Sequence, residues 1–552
     1  MDRQAQYDFV VVGAGSSGCV LANRLTENGK FTVLLLEAGP SDKTNPFIHM
    51  PAGMVGLMHS RKYNWRLWTT PQTHLNNRVL FQPRGKTLGG SSSINACVYI
   101  RGHASDYDHW ADLGCEGWSY KELLPYFKKS ENFHPAPFSA GVNQKDLEEY
   151  HGSGGPLNVA SPDHRNPLSQ AFIEAGVQAG YERNPDFNGA KQGGVGPYSA
   201  YHKDGQRWSN SRAYLWPAIS RPNLTILTNA RATRICLENG SASGVEYFYE
   251  GQLRKALARK EVILSGGAFN SPHLLMLSGI GPRQDVMQHN IPPTHELPGV
   301  GRNLQDHLDV FLVMRTRNRL PISLHPLSWM RWVLQLAKYL MFKRGELSSN
   351  LAESGGFVKS SAEEPIEDLQ LHFVPLPAIR HGLNLWPLFK SYAYSIMIYD
   401  LRPHSKGTVR LGSPNPLGLP VVDPNYGEHQ RDIDRLVKGI RIARNIAAQP
   451  ALGRMNREEV APGEHLQTDE ELEQWVRETA ETAYHPVGTC KMGTDEMSVV
   501  DHRLRVHGLA SLRVVDCSIM PTLIGGNTNA AATMIGEKAA AMILDDHNQE
   551  NG

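Results

Sequence analysis

One stretch near the start constrains this chain more than any other. Tyr7-Asp-Phe-Val-Val-Val12 is a β-branched apolar run, the text of a parallel strand covered on both faces. Gly13-Ala-Gly15-Ser-Ser-Gly18 follows at the G-x-G-x-x-G spacing, then a helical run from Cys19 to Leu25. Gly13 permits a tight turn, Gly15 lets backbone approach a pyrophosphate, and Gly18 lets the helix sit close on the strand. The helix start offers unpaired N–H groups and a positive dipole end to phosphates. A second apolar strand, Phe31 to Leu36, ends in Glu37, 19 residues after Gly18. A carboxylate there accepts from a ribose diol and repels a 2′-phosphate, which disfavours NADP. Strand, glycines, helix, second strand and acid together predict a dinucleotide-binding fold, and leave FAD or NAD open.

At 552 residues the chain is too long for one core and should divide into domains. A net charge of +1 gives no electrostatic case for nucleic acid. The six cysteines (Cys19, Cys97, Cys115, Cys236, Cys490 and Cys517) form no C-x-x-C pair and no metal-ligand spacing, as expected of reduced residues. A fold that begins by residue 7 leaves no room for a signal peptide, and no apolar run approaches the ~18 residues of a membrane span. The expectation is a cytoplasmic protein, with peripheral attachment to the inner membrane open.

Further along, Pro83-Arg-Gly-Lys-Thr-Leu-Gly-Gly-Ser-Ser-Ser-Ile-Asn95 is a segment full of N–H and O–H donors, suited to wrapping a polar ligand. Four strand-like runs between 223 and 265 read as a β-meander returning to the central sheet. Gly266 to Gly281 is another strand–glycine–helix passage, with Pro272 expected near the helix start and Ala268 small enough for close cofactor approach. Residues 310–425 change style, with alternating strands and many prolines, and read as a second domain laid over the cofactor. Within them 326–345 is amphipathic, aromatic and basic (Trp329, Met330, Trp332, Lys338, Lys343, Arg344), which suits a membrane interface or a helix packed into the second domain's core. The predicted fold class is α/β plus α+β. A Rossmann-like domain with a parallel sheet and meander comprises 1–160, 212–310 and 480–552. A substrate-binding domain on an antiparallel sheet comprises 161–211 and 311–479.

The functional signal concentrates at the far end, in Ala483-Tyr-His485-Pro-Val-Gly-Thr-Cys-Lys-Met-Gly493 and in Leu512 to Asp516 followed by Gly525-Gly-Asn-Thr-Asn529-Ala-Ala-Ala. A helix beginning near Asn529 aims its N-terminal dipole at something electron-rich. Here the chain resembles the glucose–methanol–choline (GMC) oxidoreductases, which use FAD to oxidise alcohols. Gly85 through Asp108 fits that family's first signature and Gly267 through Gly281 its second. Lys203-Asp-Gly-Gln-Arg-Trp-Ser209, Ala352-Glu-Ser-Gly-Gly-Phe-Val-Lys-Ser360 and Tyr484-His-Pro-Val-Gly-Thr-Cys490 are similar to the family's membrane-associated bacterial long-chain alcohol dehydrogenases and its choline dehydrogenases.

That resemblance implies FAD as cofactor, His485 as catalytic base and Asn529 as its partner. It implies cofactor contacts at Gly13, Gly15, Ser17, Gly18, Glu37, Ala38, Arg84, Gly90, Ser91, Asn95, Val98, Thr233, Ala268, Asp516, Asn527 and Thr528. Where some members carry a tethering histidine this chain has Ile94, so non-covalent FAD is expected. An alcohol gives up its α-hydride more readily as an alkoxide, and a near-neutral imidazole suits the base. The implied function is oxidation of a primary, aliphatic alcohol, with hydride to flavin N5 and electrons to a quinone or another acceptor. Choline oxidation and O2-using oxidation are the alternatives. Glu353 resembles the acid that faces choline's trimethylammonium, with Trp65 and Tyr484 as candidate cage aromatics. His381 is a candidate second pocket histidine, and Glu353 is equally readable as a buried acid on backbone donors.

Overall fold

The computed structural model describes residues 5–135, 142, 144–161, 165–379 and 386–549. Strand Ala5–Val12 lies at the centre of the first sheet, parallel to Val33–Glu37 on one side and Gln252–Leu264 on the other. Phe9, Val10 and Val11 are fully buried, which is why so apolar a run is needed there. Leu512–Val514 adds a further parallel strand beside Val262–Leu264, so the C-terminal segment joins the sheet that the N-terminus began.

The meander is shorter than the sequence suggested. Arg231–Glu238, Ser241–Tyr249 and Gln252–Leu264 pair antiparallel in order. Leu224–Thr228 instead lies parallel to Val33–Glu37 at the sheet edge. A short run of Leu, Ile and Thr fits either arrangement, and only its partner decides. Helix Gly267–Leu277 carries Pro272 as its sixth residue rather than at its start. The proline removes the N–H that would bond the Ala268 carbonyl. Thr489 Oγ1 takes that place, donating to it at 2.6 Å.

The second sheet is antiparallel throughout its main path, in the order Asn456–Ala461, Leu308–Thr316, Ala393–Asp400, Leu369–Val374, Ser354–Val358 and Gly194–Pro197. Helices Pro167–Gln178, Gln430–Ala448 and Asp469–Thr479 cover one face through a common apolar core. Gly194–Pro197, distant in sequence from the other strands, closes one edge of this sheet.

Helix Trp329–Phe342 corrects one of its two readings. It is not a core helix: Tyr339 alone is buried along it, while Trp329, Met330 and Met341 are 68%, 72% and 68% exposed. Trp332 is half-buried and ties the helix down by donating to the Ser323 carbonyl at 2.7 Å. Among the described residues no helix is long and apolar enough to cross a membrane.

Candidate active site

A single elongated cavity runs from the first glycine loop, between the two sheets, to the segment around His485. At one end lie Gly13, Gly15, Ser17, Glu37 and Ala38. Gly13 has φ +100°, and a Cβ there would sit 2.5 Å from the Ser265 carbonyl oxygen. Helix Ser16–Thr26 has Gly15 as its N-cap with no side-chain cap, so its first amides open toward the cavity. A Cβ on Gly15 would meet only Ser265 O, at 3.7 Å, and one on Gly267 nothing within 4 Å, so both glycines leave room for a ligand. The Glu37 carboxylate accepts from Ala14 N at 3.0 Å and Gly39 N at 2.7 Å, which holds it in place at the strand end. Burial pushes that carboxyl up to about 7.

The middle of the cavity is walled by Arg84, Gly90, Ser91, Asn95, Val98, Ala268 and Asp516. Asn95 is held by Arg207, whose Nη1 donates to its Oδ1 at 3.0 Å, and by the Tyr201 hydroxyl. Asp516 collects Gly267 N (2.9 Å), Ser271 Oγ (2.6 Å) and Ser518 N (2.8 Å), clamping the glycine-bearing helix start at Gly267 to its own turn. Arg84 donates to the Tyr484 carbonyl at 2.8 Å, while its buried Nε has no protein partner and remains available as a donor.

The far end contains His485, which the structure pairs differently from the sequence expectation. Its backbone is fixed by Asp306 Oδ1, which accepts from His485 N at 2.7 Å; the other Asp306 oxygen accepts from Thr482 Oγ1 at 2.6 Å. The ring is buried between two partners: His307 Nδ1 at 2.9 Å from its Nδ1, and Asn527 Nδ2 at 3.1 Å from its Nε2. Asn529 is not that partner. It begins helix Asn529–Gln549, and its Oδ1 accepts from Ser16 Oγ at 2.6 Å. The two asparagines are only two apart, but the Gly525-Gly526 turn delivers Asn527 to the histidine and Asn529 to the first glycine loop. Burial, and then the Arg84 guanidinium, push the His485 imidazole down to about 3. Burial first, then His485 and Arg402, hold His307 well below the usual range. Both rings are therefore neutral.

Other expected residues fall elsewhere. Gly18 packs rather than lines: a Cβ on it would lie 1.9 Å from the Gly13 carbonyl oxygen. Thr233 turns away and donates to the Glu246 carbonyl at 3.1 Å, while its neighbour Ala232 faces the cavity. Glu353 is 1% exposed and does not line the cavity. Its oxygens accept from Asn166 N (2.6 Å), Ser169 Oγ (2.7 Å) and Ser349 Oγ (2.6 Å), so it is a buried acid that organises backbone. Trp65 lines the cavity, but Lys86 Nζ and the Arg231 guanidinium already lie 4.9 and 5.0 Å from the ring centroid, so it is poorly placed to cage a third cation. Tyr484 does line the cavity beside His485. His381 lies outside the described residues. His307 and Asp306 were passed over in Leu304-Gln-Asp-His307, a phrase whose clustered polar residues at the start of an apolar strand were the available signal.

A glycine-rich helix start, a strand-end acid and a buried histidine–amide pair across one cavity define a dinucleotide-dependent oxidoreductase of two-domain build. Comparison gives the family. The GMC oxidoreductase N-terminal model matches residues 7–309 and the C-terminal model 403–536. The chain belongs to the GMC oxidoreductases, and its cofactor is FAD. It is 48% identical to an alcohol dehydrogenase (acceptor) of Pseudomonas putida, over 98% of this chain and 96% of the relative. It is 44% identical to a mitochondrial choline dehydrogenase of Mus musculus, over 98% and 91%. Among solved structures it matches a pyridoxine 4-oxidase from Mesorbium loti with TM-score 0.86 and 33% identity, covering 97% of this chain and 98% of that one. A formate oxidase matches with TM-score 0.91 at 28% identity, covering 100% of both chains.

Proposed function

We propose that this protein oxidises a primary aliphatic alcohol to the aldehyde, with His485 as general base and Asn527, not Asn529, as its partner. One observation carries the reading: a basic nitrogen and an amide donor, 3.1 Å apart, sit together in a cavity whose lining is mostly apolar. A hydroxyl that displaces this hydrogen bond and contacts both groups gives its proton to the freed His485 Nε2 lone pair and accepts the Asn527 N–H on its oxygen. The Arg84 cation nearby favours the negative charge that develops there. Bound FAD supplies the acceptor for the α-hydride, and Ile94 offers no nucleophile to tether it. Met54, Val55, Met58, Leu351, Val374, Leu376 and Met397 exclude water and receive the alkyl chain. Burial is worth about 0.8 kcal/mol per CH2, so longer alcohols are favoured.

The name of the Pseudomonas putida relative supports both the alcohol and an acceptor other than NAD, for which a quinone is our choice. Choline is the competing substrate because seven relatives at 42–45% identity bear its name. A trimethylammonium needs a carboxylate or a free aromatic cage. Of the described residues lining the cavity only Glu37 and Asp516 are acidic, and both are engaged by backbone amides. Turnover of 1-octanol, benzyl alcohol and choline with an artificial acceptor tests the reading. The expected order of kcat/KM places 1-octanol first; choline as the sole substrate would overturn it.

We further propose that helix Trp329–Phe342, with helix Trp386–Lys390, lies on a bilayer surface. Trp332 packs in the same apolar cluster as Val55, Leu351, Val374 and Leu376, which wall the cavity. Leu388 lines the cavity, while Trp386 and Phe389 on the same helix are exposed. The helix Trp329–Phe342 carries no acid, and Lys338 and Arg344 are exposed beside its apolar face, as suits anionic headgroups. An apolar alcohol would then pass from lipid to cavity along one continuous apolar surface.

A further inference from the structure

The hydrogen bonds behind His485 determine where its single proton sits. Tyr198 is fully buried, and its hydroxyl donates to the Leu371 carbonyl at 2.7 Å. A phenol has one proton, so toward Gln370 it offers only a lone pair. The Gln370 atom 3.3 Å from that oxygen must therefore be Nε2, the donor. The same Nε2 reaches Asn527 Oδ1 at 3.2 Å. With its oxygen so engaged, Asn527 turns Nδ2 toward His485 Nε2. An amide nitrogen only donates, so His485 Nε2 accepts, and in a neutral imidazole the proton is then on Nδ1. That Nδ1–H points at His307 Nδ1, 2.9 Å away, which accepts. His307 then carries its own proton on Nε2, near the Leu401 and Ile524 backbone carbonyls but without a hydrogen bond to either. Reversing both amides would set the Tyr198 and Gln370 oxygens lone pair to lone pair in a buried site.

We propose that Gln370 and His307 are positioning residues that hold His485 in the Nδ1–H tautomer, with its basic Nε2 facing the cavity. This rests on the reading of His485 as the base. Gln370 belongs to strand Leu369–Val374 of the antiparallel sheet, and His485 follows Glu481–Thr482, which pairs with Leu308–Asp309 at the end of another strand of that sheet. The second domain thus sets the protonation pattern of the base as well as walling the substrate. In the other tautomer the histidine would present an N–H to the alcohol, and a mis-set tautomer lowers base catalysis by on the order of 10²- to 10⁴-fold.

The test uses FAD-loaded protein labelled with 15N at histidine. Long-range 1H–15N correlation reports which ring nitrogen is protonated, and comparison with His485→Gln identifies the His485 signals. The expected wild-type pattern is Nδ1–H; an Nε2–H pattern would overturn the proposal. His307→Leu removes the acceptor, whereas His307→Asn keeps an oxygen where Nδ1 stood. His307→Leu is expected to shift His485 toward Nε2–H and to slow flavin reduction by about tenfold or more, with His307→Asn retaining pattern and rate. Equal losses in both variants would show a merely space-filling role. If His307→Leu does not fold, Gln370→Met decides, since it conserves volume and removes only the donor: an unchanged tautomer and rate would overturn the role of Gln370. An Nδ1–H pattern in an enzyme that no alcohol reduces would remove the base assignment and leave the tautomer assignment standing.

Discussion

His485→Ala is expected to retain FAD and to lose about 10³- to 10⁴-fold in the rate of flavin reduction by 1-octanol under anaerobic conditions. Retention follows from geometry, because the residues that suit the cofactor's phosphates and ribose (Gly13, Gly15 and Glu37) sit at the opposite end of the cavity. Loss of rate follows because the alcohol is left without an acceptor for its proton. The variant also strands His307 Nδ1 and one Asn527 N–H in a buried site, which costs about 1–3 kcal/mol of stability. A melting curve separates that effect from the chemistry. The same site carries a pH expectation. The proton affinity of His485 is pushed below the ordinary imidazole value of 6.5, so the base stays neutral as pH falls through 6.5 and the wild-type reduction rate shows no acid limb there. Near-normal reduction by the alanine variant would remove His485 from the base role.

Replacing Trp329, Met330, Val333, Leu340 and Met341 together by serine is expected to abolish sedimentation with liposomes containing anionic lipid, with turnover of a water-soluble alcohol unchanged. These side chains are exposed and make no part of the protein's core, so their loss costs the fold little. In water the wild-type face is an unpartnered apolar surface, and each large side chain withdrawn from water is worth about 1.5–3 kcal/mol. Five such residues are ample for reversible binding, helped by about 1 kcal/mol per basic residue near anionic headgroups. Equal sedimentation of wild type and variant would contradict the membrane reading. High salt should weaken binding only in part, since the apolar contribution is not screened.

The reach of sequence reasoning here has physical limits that individual residues make plain. Gly13 to Glu37 was legible because several independent constraints coincide in 25 consecutive residues: a tight turn, a close helix approach and a strand-end acid. His485 was legible through its segment. Its partner was not, because the choice between Asn527 and Asn529 depends on how the Gly525-Gly526 turn meets the helix start. Thr233 and Ala232 illustrate another limit, since neighbouring strand residues face opposite sides and a one-residue error exchanges the cavity for the buried opposite face of the strand. Glu353 carries the charge that a cation-binding acid would carry, and only the serine hydroxyls and the amide around it show that its charge is already satisfied. The helix Trp329–Phe342 was legible as amphipathic but not as unpartnered, since periodicity identifies a face without identifying what covers it.

The proposed hydride transfer from an alcohol deprotonated by His485 is read most directly in the flavin itself. Purified FAD-loaded protein is mixed anaerobically with 1-octanol while the flavin absorbance band is followed. The expected result is loss of the oxidised band, slowed about two- to tenfold when the alcohol is dideuterated at C1 and its C–H cleavage limits the rate. A band that stays oxidised while the alcohol is bound would contradict it.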